Sequence, residues 1–458
     1  MIANLLRLCT ANVTSVDAFD EFIRAVEPHK TKLALVTAEI GDTWIQGASS
    51  DPLKVALFRS ASRQRAKCLA ADSCEPAPDS PSFKTFERLL MKVGEHTWGW
   101  NGGDTRTGGW SNAAFAAEKK TDDQYRTVVK TWQEQRAFIL NAVAALPSGS
   151  SLQAAIYAEW QQLRPAAFDE SGYKIVSASA NFSCGAILIG FDATTGGIRT
   201  LRGPGGTYWA SSMAQLAQPW YQNEDENYTL LPALDNKPGL NLSALNSNAR
   251  ITELRRKVEP AETAFKLTMV MSENDVHAVR GAPALLEALV RVPHGSSEEH
   301  TDGDSAAAVE ISYTLQWFNK TATKAPETIW LRNQPAATRD ASAWRIHKLG
   351  AMVNPLDADL SVGAGDASKH CDPMHADGRS GQTCGVHLHA IDSGAFYSGS
   401  EGKLALKSLD SMLVSVGDPL PSPAPLVVPD PRGGVHFSLV ANTWNSECSE
   451  HDATGYHS

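Results

Sequence analysis

Three groups of residues combine types and spacing that suit chemistry. The first is Glu39-Ile-Gly-Asp-Thr-Trp44, which closes the apolar, β-prone run Lys32–Ile40. Two carboxylates and an indole at the C-terminal end of a strand fit the edge of an active site, because catalytic loops of α/β folds gather at that end. The plainer reading is that Asp42 caps the loop before the helix that begins at Pro52. The second group is Gly94-Glu-His-Thr-Trp-Gly-Trp100, directly after a helical stretch. Histidine is the commonest metal ligand. Zinc needs three or four donors, however, and no H-x-x-x-H or C-x-x-C stands beside His96. The competing role for His96 is a hydrogen-bonded histidine at a helix C-terminus. The third group is His370-Cys-Asp-Pro-Met-His375 followed by Cys384-Gly-Val-His-Leu-His389. His387 and His389 share one face of an expected strand. A Cys371–Cys384 disulfide or free thiols are the alternatives to a metal there. There is no Walker loop, dinucleotide fingerprint or Gly-x-Ser-x-Gly elbow. Gly203-Pro-Gly-Gly-Thr is a turn with no helix behind it to receive a phosphate.

The elements that must position these groups change character near residue 170. From Thr14 to about Pro165 the pattern is mainly helical. Thr14 and Ser15 begin a helix with Phe19, Phe22, Ile23 and Val26 at helical spacing. Further helices are expected from Pro52 to about Ala71, Phe83 to Val93, Asp122 to Leu146 and Leu152 to Leu163, enough for a small bundle. From Tyr173 onward the period becomes two. Strands are expected at Tyr173–Ser179, Ala186–Phe191, Ala264–Met271, Val309–Phe318, Thr328–Leu331, Trp344–Leu349, His387–Ile391, Met412–Val416 and Val435–Val440. A hairpin turn falls at Asp192–Gly197, one helix near Ala282–Leu289, and an ordered extended segment at Pro419–Pro431. So many strands without alternating helices predict a β-sandwich.

The 458 residues are too many for one ordinary core and suggest about two to four domains. A net charge of −10 argues against a nucleic-acid partner. No apolar run approaches the roughly 18 residues that a membrane span needs. The seven cysteines are an odd number, and Cys68 and Cys74 stand close enough to bridge across the Ala70–Pro81 loop. Five N-x-[ST] sequons, at Asn12, Asn181, Asn227, Asn241 and Asn319, suit a secreted or secretory-pathway protein, although Met1–Cys9 lacks a signal-peptide pattern. The 12 tryptophans either stack on sugar rings or fill cores.

In their order, these motifs resemble the α-mannosidase-like glycoside hydrolases, the family 38 superfamily. The resemblance is carried by Glu39-Ile-Gly-Asp-Thr-Trp-Ile-Gln-Gly, Ser50-Asp-Pro-Leu-Lys54 with Arg59, and Glu95-His-Thr-Trp-Gly. Phe191-Asp-Ala-Thr-Thr-Gly-Gly-Ile looks like the start of that family's sandwich. Lys324-Ala-Pro-Glu-Thr-Ile-Trp330, Trp344-Arg-Ile-His-Lys-Leu-Gly350, Asn354-Pro-Leu-Asp357 and Gly434-Val-His-Phe437 look like an uncharacterised branch, a domain of unknown function. The resemblance spans about Val16 to Trp444. It implies zinc-dependent, retaining hydrolysis of α-linked, mannoside-like sugars. On that basis His96 is the zinc ligand, Asp42 and Glu39 are the catalytic carboxylates, and Trp44, Trp98, Trp100 and Glu95 contact a carbohydrate.

The family's His-x-Asp segment, with two zinc ligands and the nucleophile, is not found in the 38 residues before Glu39. The position after His96 holds Thr97 where the family has Asp, and Asn445–Ser458 carries no strand pattern. The resemblance therefore implies that the N-terminal catalytic part is missing and that the chain as printed is inactive. The other reading is a non-catalytic carbohydrate-binding or structural remnant. The expected architecture is multi-domain α+β: the edge of an α/β catalytic barrel over residues 1–60, a helical bundle over 61–168 and a large antiparallel β-sandwich over 169–458. Neither the sugar nor the oligomeric state is legible.

Overall fold

The structure, a computed structural model, describes residues 24–32, 49–71, 74–94, 112–223, 244–272, 276–295, 308–323, 327–356, 387–420 and 429–442. The chain divides into two compact units, Met1–Ala38 and Glu39–Ser458. In the first, the described residues form a helical turn that runs into a 3-10 helix at Glu27–Lys32. The strand expected at Lys32–Ile40 falls outside the described residues, apart from Lys32 itself, which ends that 3-10 helix. Among the described residues no barrel is closed.

The second unit is β-rich α+β. Its helices are α1 (Pro52–Ala70), α2 (Pro81–Val93), α3 (Asn112–Thr121), α4 (Asp123–Ala144) and α5 (Ser151–Gln162), with the short α6 (Val276–Arg280) later. Local sequence sets their starts. The Asp51 carboxylate accepts from the Lys54 amide at 3.1 Å, Ser80 Oγ accepts from Phe83 N at 3.3 Å, and Asp122 accepts from Gln124 N at 2.7 Å. Pro52 and Pro81 follow their caps, where a missing amide hydrogen costs nothing. The apolar stripe of α2, Phe83, Phe86, Leu90 and Val93, is buried against Ile139 and Val143 of α4 and Ile156 and Trp160 of α5. Burying each such side chain fully contributes roughly 1.5–3 kcal/mol. A Cys68–Cys74 disulfide, with Cα atoms 4.8 Å apart, closes the end of α1 onto the next loop, as the short spacing suggests.

Eighteen strands are described. They are β1 (Lys174–Ile175), β2 (Asn181–Cys184), β3 (Ile187–Phe191), β4 (Ile198–Arg202), β5 (Tyr208–Ala210), β6 (Gln218–Asn223), β7 (Leu245–Val258), β8 (Glu262–Met271) and β9 (Leu285–Pro293). They continue with β10 (Ser312–Phe318), β11 (Glu327–Arg332), β12 (Trp344–Lys348), β13 (Ala351–Val353), β14 (Leu388–Ala390), β15 (Gly394–Gly399), β16 (Gly402–Lys407), β17 (Leu413–Val416) and β18 (Val435–Asn442). One antiparallel sheet runs β10-β9-β8-β7-β6-β11-β18-β17-β14, with β1 added on β7. Two four-stranded sheets, β13-β12-β15-β16 and β2-β3-β4-β5, share a single core with its inner face. Phe191, Phe265, Tyr221, Trp344 and Tyr397 meet there.

The expected hairpin turn is present. Asp192 N donates to Gly197 O at 2.8 Å, and Gly196 adopts φ 71°. The helix expected near Ala282–Leu289 is not: Leu285–Pro293 is strand β9. Its Leu, Glu and Ala favour a helix locally, but β8 and β10 flank it. Leu286, Ala288, Val290 and Val292 all turn into the core while Glu287 turns out, so sheet packing overrides propensity.

Candidate functional site

Asp42, Glu39, Trp44, Glu95, His96, Trp98 and Trp100 lie outside the described residues, as do His370, Cys371, His375 and Cys384. His387 and His389 are described and buried. His389 pairs with the core residue Val414 of β17, so these histidines sit on the core side of the sheet. Among the described residues no three His, Cys, Asp or Glu side chains converge on one point. The described residues therefore supply no ligand set for the zinc that the family resemblance implies.

The described part of the resembling run, Ser50–Lys54 and Arg59, is built into the junction between helices and sheet. Asp51 caps α1 and also takes an ion pair from Arg136 of α4 at 2.5 Å, while Lys54 is 1% exposed. Just before the cap, Ser49 Oγ donates to Ser438 O at 3.3 Å. That carbonyl lies where the β11–β18 register slips by one residue. About two turns into α1, Arg59 donates to four backbone carbonyls: Leu409 O at 2.8 Å, Ile391 O at 3.0 Å, Ser408 O at 3.0 Å, and Asp392 O. Burial, reinforced by neighbouring Arg63, lowers its pKa to about 10, so it stays charged at neutral pH. Arg63 extends the junction by pairing with Glu159 of α5 and with Asp410 at 3.4 Å. Lysine carries no planar fork and cannot serve four acceptors together. Arg59→Lys is expected to lower stability by about 1–3 kcal/mol in urea titrations, from acceptors left unsatisfied. A shift under 0.5 kcal/mol would show that the junction does not depend on the fork.

A second polar group is buried where β6, β11 and β18 end together. Glu327 pairs laterally with Asn223 and Asn442. Its carboxylate takes Lys320 Nζ at 2.5 Å and Tyr221 OH at 2.7 Å, with side chains 0% and 4% exposed for Glu327 and Lys320. Lys320 also donates to Thr321 O at 2.9 Å and Gly281 O at 3.2 Å. Burial raises the Glu327 pKa, against the pull of Lys320. Burial and the facing carboxylate push the Tyr221 phenol well above its usual value. With its hydrogen-bonding capacity taken up by protein groups, the cluster is a structural tie.

The outer face of the large sheet is different. Strand alternation fixes which residues it carries, because Tyr221, Ala249 and Ile329 of the three central strands turn into the core. On β11 the outward residues are Thr328, Trp330 and Arg332. On β6 they are Gln218, Trp220 and Gln222. On β7, before its bulge at Ile251–Glu253, they are Asn246, Asn248 and Arg250. Trp330 is buried in a small cluster with Leu388 and Leu413, and half-buried Trp220 packs beside it. The Arg332 guanidinium carbon lies 4.3 Å from the centre of the Trp220 ring. Trp330 Nε1 donates to Gln222 Oε1 at 3.2 Å, and Gln218 Nε2 donates to Asn248 Oδ1 at 2.7 Å. The outcome is a half-buried indole, Trp220, set among amides and guanidinium groups, beside the buried Thr328 and Trp330. Toward β8–β10 the same face is covered by the chain after α5: Gln316 Nε2 donates to Ala166 O at 2.7 Å, and Lys266 pairs with Glu170 and with Glu287 at 3.1 Å.

The fold and these polar regions define a β-rich α+β protein whose first helix is fastened to the antiparallel sheets by Ser49, Arg59 and Arg63. Residues 48–298 match the family model described as a domain of unknown function (DUF5054), and the chain belongs to that family. No curated protein matches it.

The outer-face group was missed in the sequence because β6 and β7 were not recognised as strands. Little signal was present: Pro219-Trp-Tyr are consecutive apolar residues and Asn246-Ser-Asn consecutive polar ones, so the alternation shows only in the burial. Of the tryptophans, Trp132, Trp160, Trp209, Trp330 and Trp344 are buried, which is the core-filling role weighed against sugar stacking.

Proposed function

We propose that the protein is a carbohydrate-active relative of the α-mannosidase-like glycoside hydrolases, with zinc-dependent, retaining hydrolysis of α-linked, mannoside-like sugars as its chemistry. The observation that supports this reading is the structural weight on the described part of the resembling run. Asp51 caps the first helix of the second unit and ties it to α4, Lys54 is buried, and Arg59 holds the helix against the sheets, directly after the segment bearing Glu39, Asp42 and Trp44 in sequence. Residues fixed this firmly beside a candidate catalytic segment in sequence fit a positioning role. In this reading Asp42 and Glu39 act as carboxylates, His96 ligates zinc, and Trp44, Trp98, Trp100 and Glu95 contact the sugar. The Cys68–Cys74 bridge and the exposed sequon residues Asn181 and Asn319 support a secretory-pathway location.

A second reading, carbohydrate binding without turnover, is favoured by the Trp220 face. The purified chain assayed on a panel of aryl α-mannosides and α-linked manno-oligosaccharides tests both. Hydrolysis that disappears with a zinc chelator and returns with zinc supports the enzyme. Calorimetric binding without hydrolysis supports the second reading. Absence of both overturns the mannoside assignment.

A further inference from the structure

We propose that the outer face of β11, β6 and β7 is a binding platform for an acidic saccharide, with the sugar lying along Trp220 and its carboxylate or sulfate held by Arg332. The choice of a sugar rests on the carbohydrate-binding reading; the choice of an acidic one rests on the face alone. Three features carry it. The nine outward residues of β11, β6 and the part of β7 before its bulge at Ile251–Glu253 include two arginines and no carboxylate, in a chain whose net charge is −10; beyond the bulge Glu253 is spent on Arg255. Among the described residues neither Arg332 nor Arg250 forms an ion pair, and Arg332 Nε is buried without an acceptor. Burial lowers the Arg332 pKa, and Asp418 supports its charge only from beyond ion-pair distance. A guanidinium fixed by stacking on an indole, with its donors unspent, is arranged for bidentate capture of a planar anion. The amides supply the rest. Gln222 spends its oxygen on Trp330 and Gln218 its amino group on Asn248, which leaves the amino groups of Gln222 and Asn248 and the carbonyl of Gln218 to meet hydroxyls. An aromatic surface with a few oriented polar groups is how a small polar ring is bound and oriented.

The test is calorimetry on the full chain with tetragalacturonate, its methyl ester, a neutral-backbone sulfated tetrasaccharide, mannotetraose and hexaglutamate. Tetragalacturonate or the sulfated tetrasaccharide is expected to bind, and whichever binds more tightly identifies the anion. Binding should weaken with added salt and exceed that of the ester or of mannotetraose by about tenfold, the scale of one charge-assisted contact. Arg332→Gln should lose the same factor. Because Asn246 is exposed, Asn246→Glu provides a second variant that leaves the core untouched, and it should also weaken binding. Equal affinity for acid and ester, unchanged binding in both variants, or no binding of either anionic sugar overturns the proposal. Hexaglutamate bound as tightly as the sugars overturns the saccharide assignment. Absence of mannoside hydrolysis leaves the platform standing, whereas hydrolysis without acid-dependent binding overturns the platform alone.

Discussion

Lys320→Met is expected to lower the unfolding free energy by about 3–5 kcal/mol, the usual cost of stranding one partner of a buried ion pair. The Lys320–Glu327 pair is 4% and 0% exposed, so no water replaces the lost ammonium. Tyr221 remains as a donor, but one phenol does not neutralise a carboxylate. The Glu327 pKa, already raised by burial, then rises further. A carboxyl whose folded pKa lies above its unfolded value makes the native state bind more protons. Its contribution is intact below the unfolded value and is lost as pH rises. Lys320→Met should therefore be more nearly native in stability at pH 5 than at pH 8, read by urea titration at both. Lys320→Met combined with Glu327→Leu should recover most of the loss, because an apolar pair of similar volume is often neutral. A single variant that loses less than 1 kcal/mol with no pH dependence would remove the pair from the list of structural ties.

His436 carries the second large effect, and it runs in the opposite direction with pH. The ring is 1% exposed. Nδ1 accepts from Asn333 N at 3.2 Å and Nε2 donates to Gly417 O at 2.9 Å, an arrangement that needs the neutral ring. Burial, with Arg332 adding repulsion, lowers the pKa from 6.5 to about 4. A histidine depressed in the native state contributes stability that is fully present above pH 6.5 and is lost as pH falls through 4. The shift is worth about 3 kcal/mol at neutral pH. His436→Gln keeps one donor and one acceptor without a titrating ring. The wild-type minus variant stability difference should therefore shrink by about that amount between pH 7.5 and 4, measured by chemical denaturation across that range. A difference that stays flat with pH would mean that His436 is not the acid-labile group. The surrounding loop leaves little room to adapt: a Cβ on Gly434, at φ 116°, would lie 2.1 Å from Asn333 O.

The legible parts of this protein are those whose patterns are local. Pro52, Pro81 and Asp122 mark helix starts because caps and prolines act within four residues. Ile187–Phe191, Glu327–Arg332 and Val435–Asn442 are legible as strands because their apolar or alternating runs are long for their length. β6 was missed because Pro219 and two glutamines hide a strand whose every second residue is buried. β9 was mistaken because Leu, Ala and Glu carry a helical preference that only its neighbours overrule. The same limit applies to Arg59. It was noted as part of a resembling run, but its four acceptors are more than 300 residues away in sequence, and no spacing rule reaches that far.

By itself, the sequence determined the order of the architecture, helices first and antiparallel strands after, along with the short disulfide and the approximate helix starts. Each of these depends on contacts between near neighbours. The tertiary structure decided which polar residues matter. Glu327 and Lys320 become a buried pair, His436 a neutral tie between two loops, and Arg332 a stacked guanidinium without an acid partner, because sheet pairing brings β6, β11 and β18 side by side. Charge and hydrogen-bonding needs act through space, over a few ångströms, and the order of residues along a chain does not specify that distance.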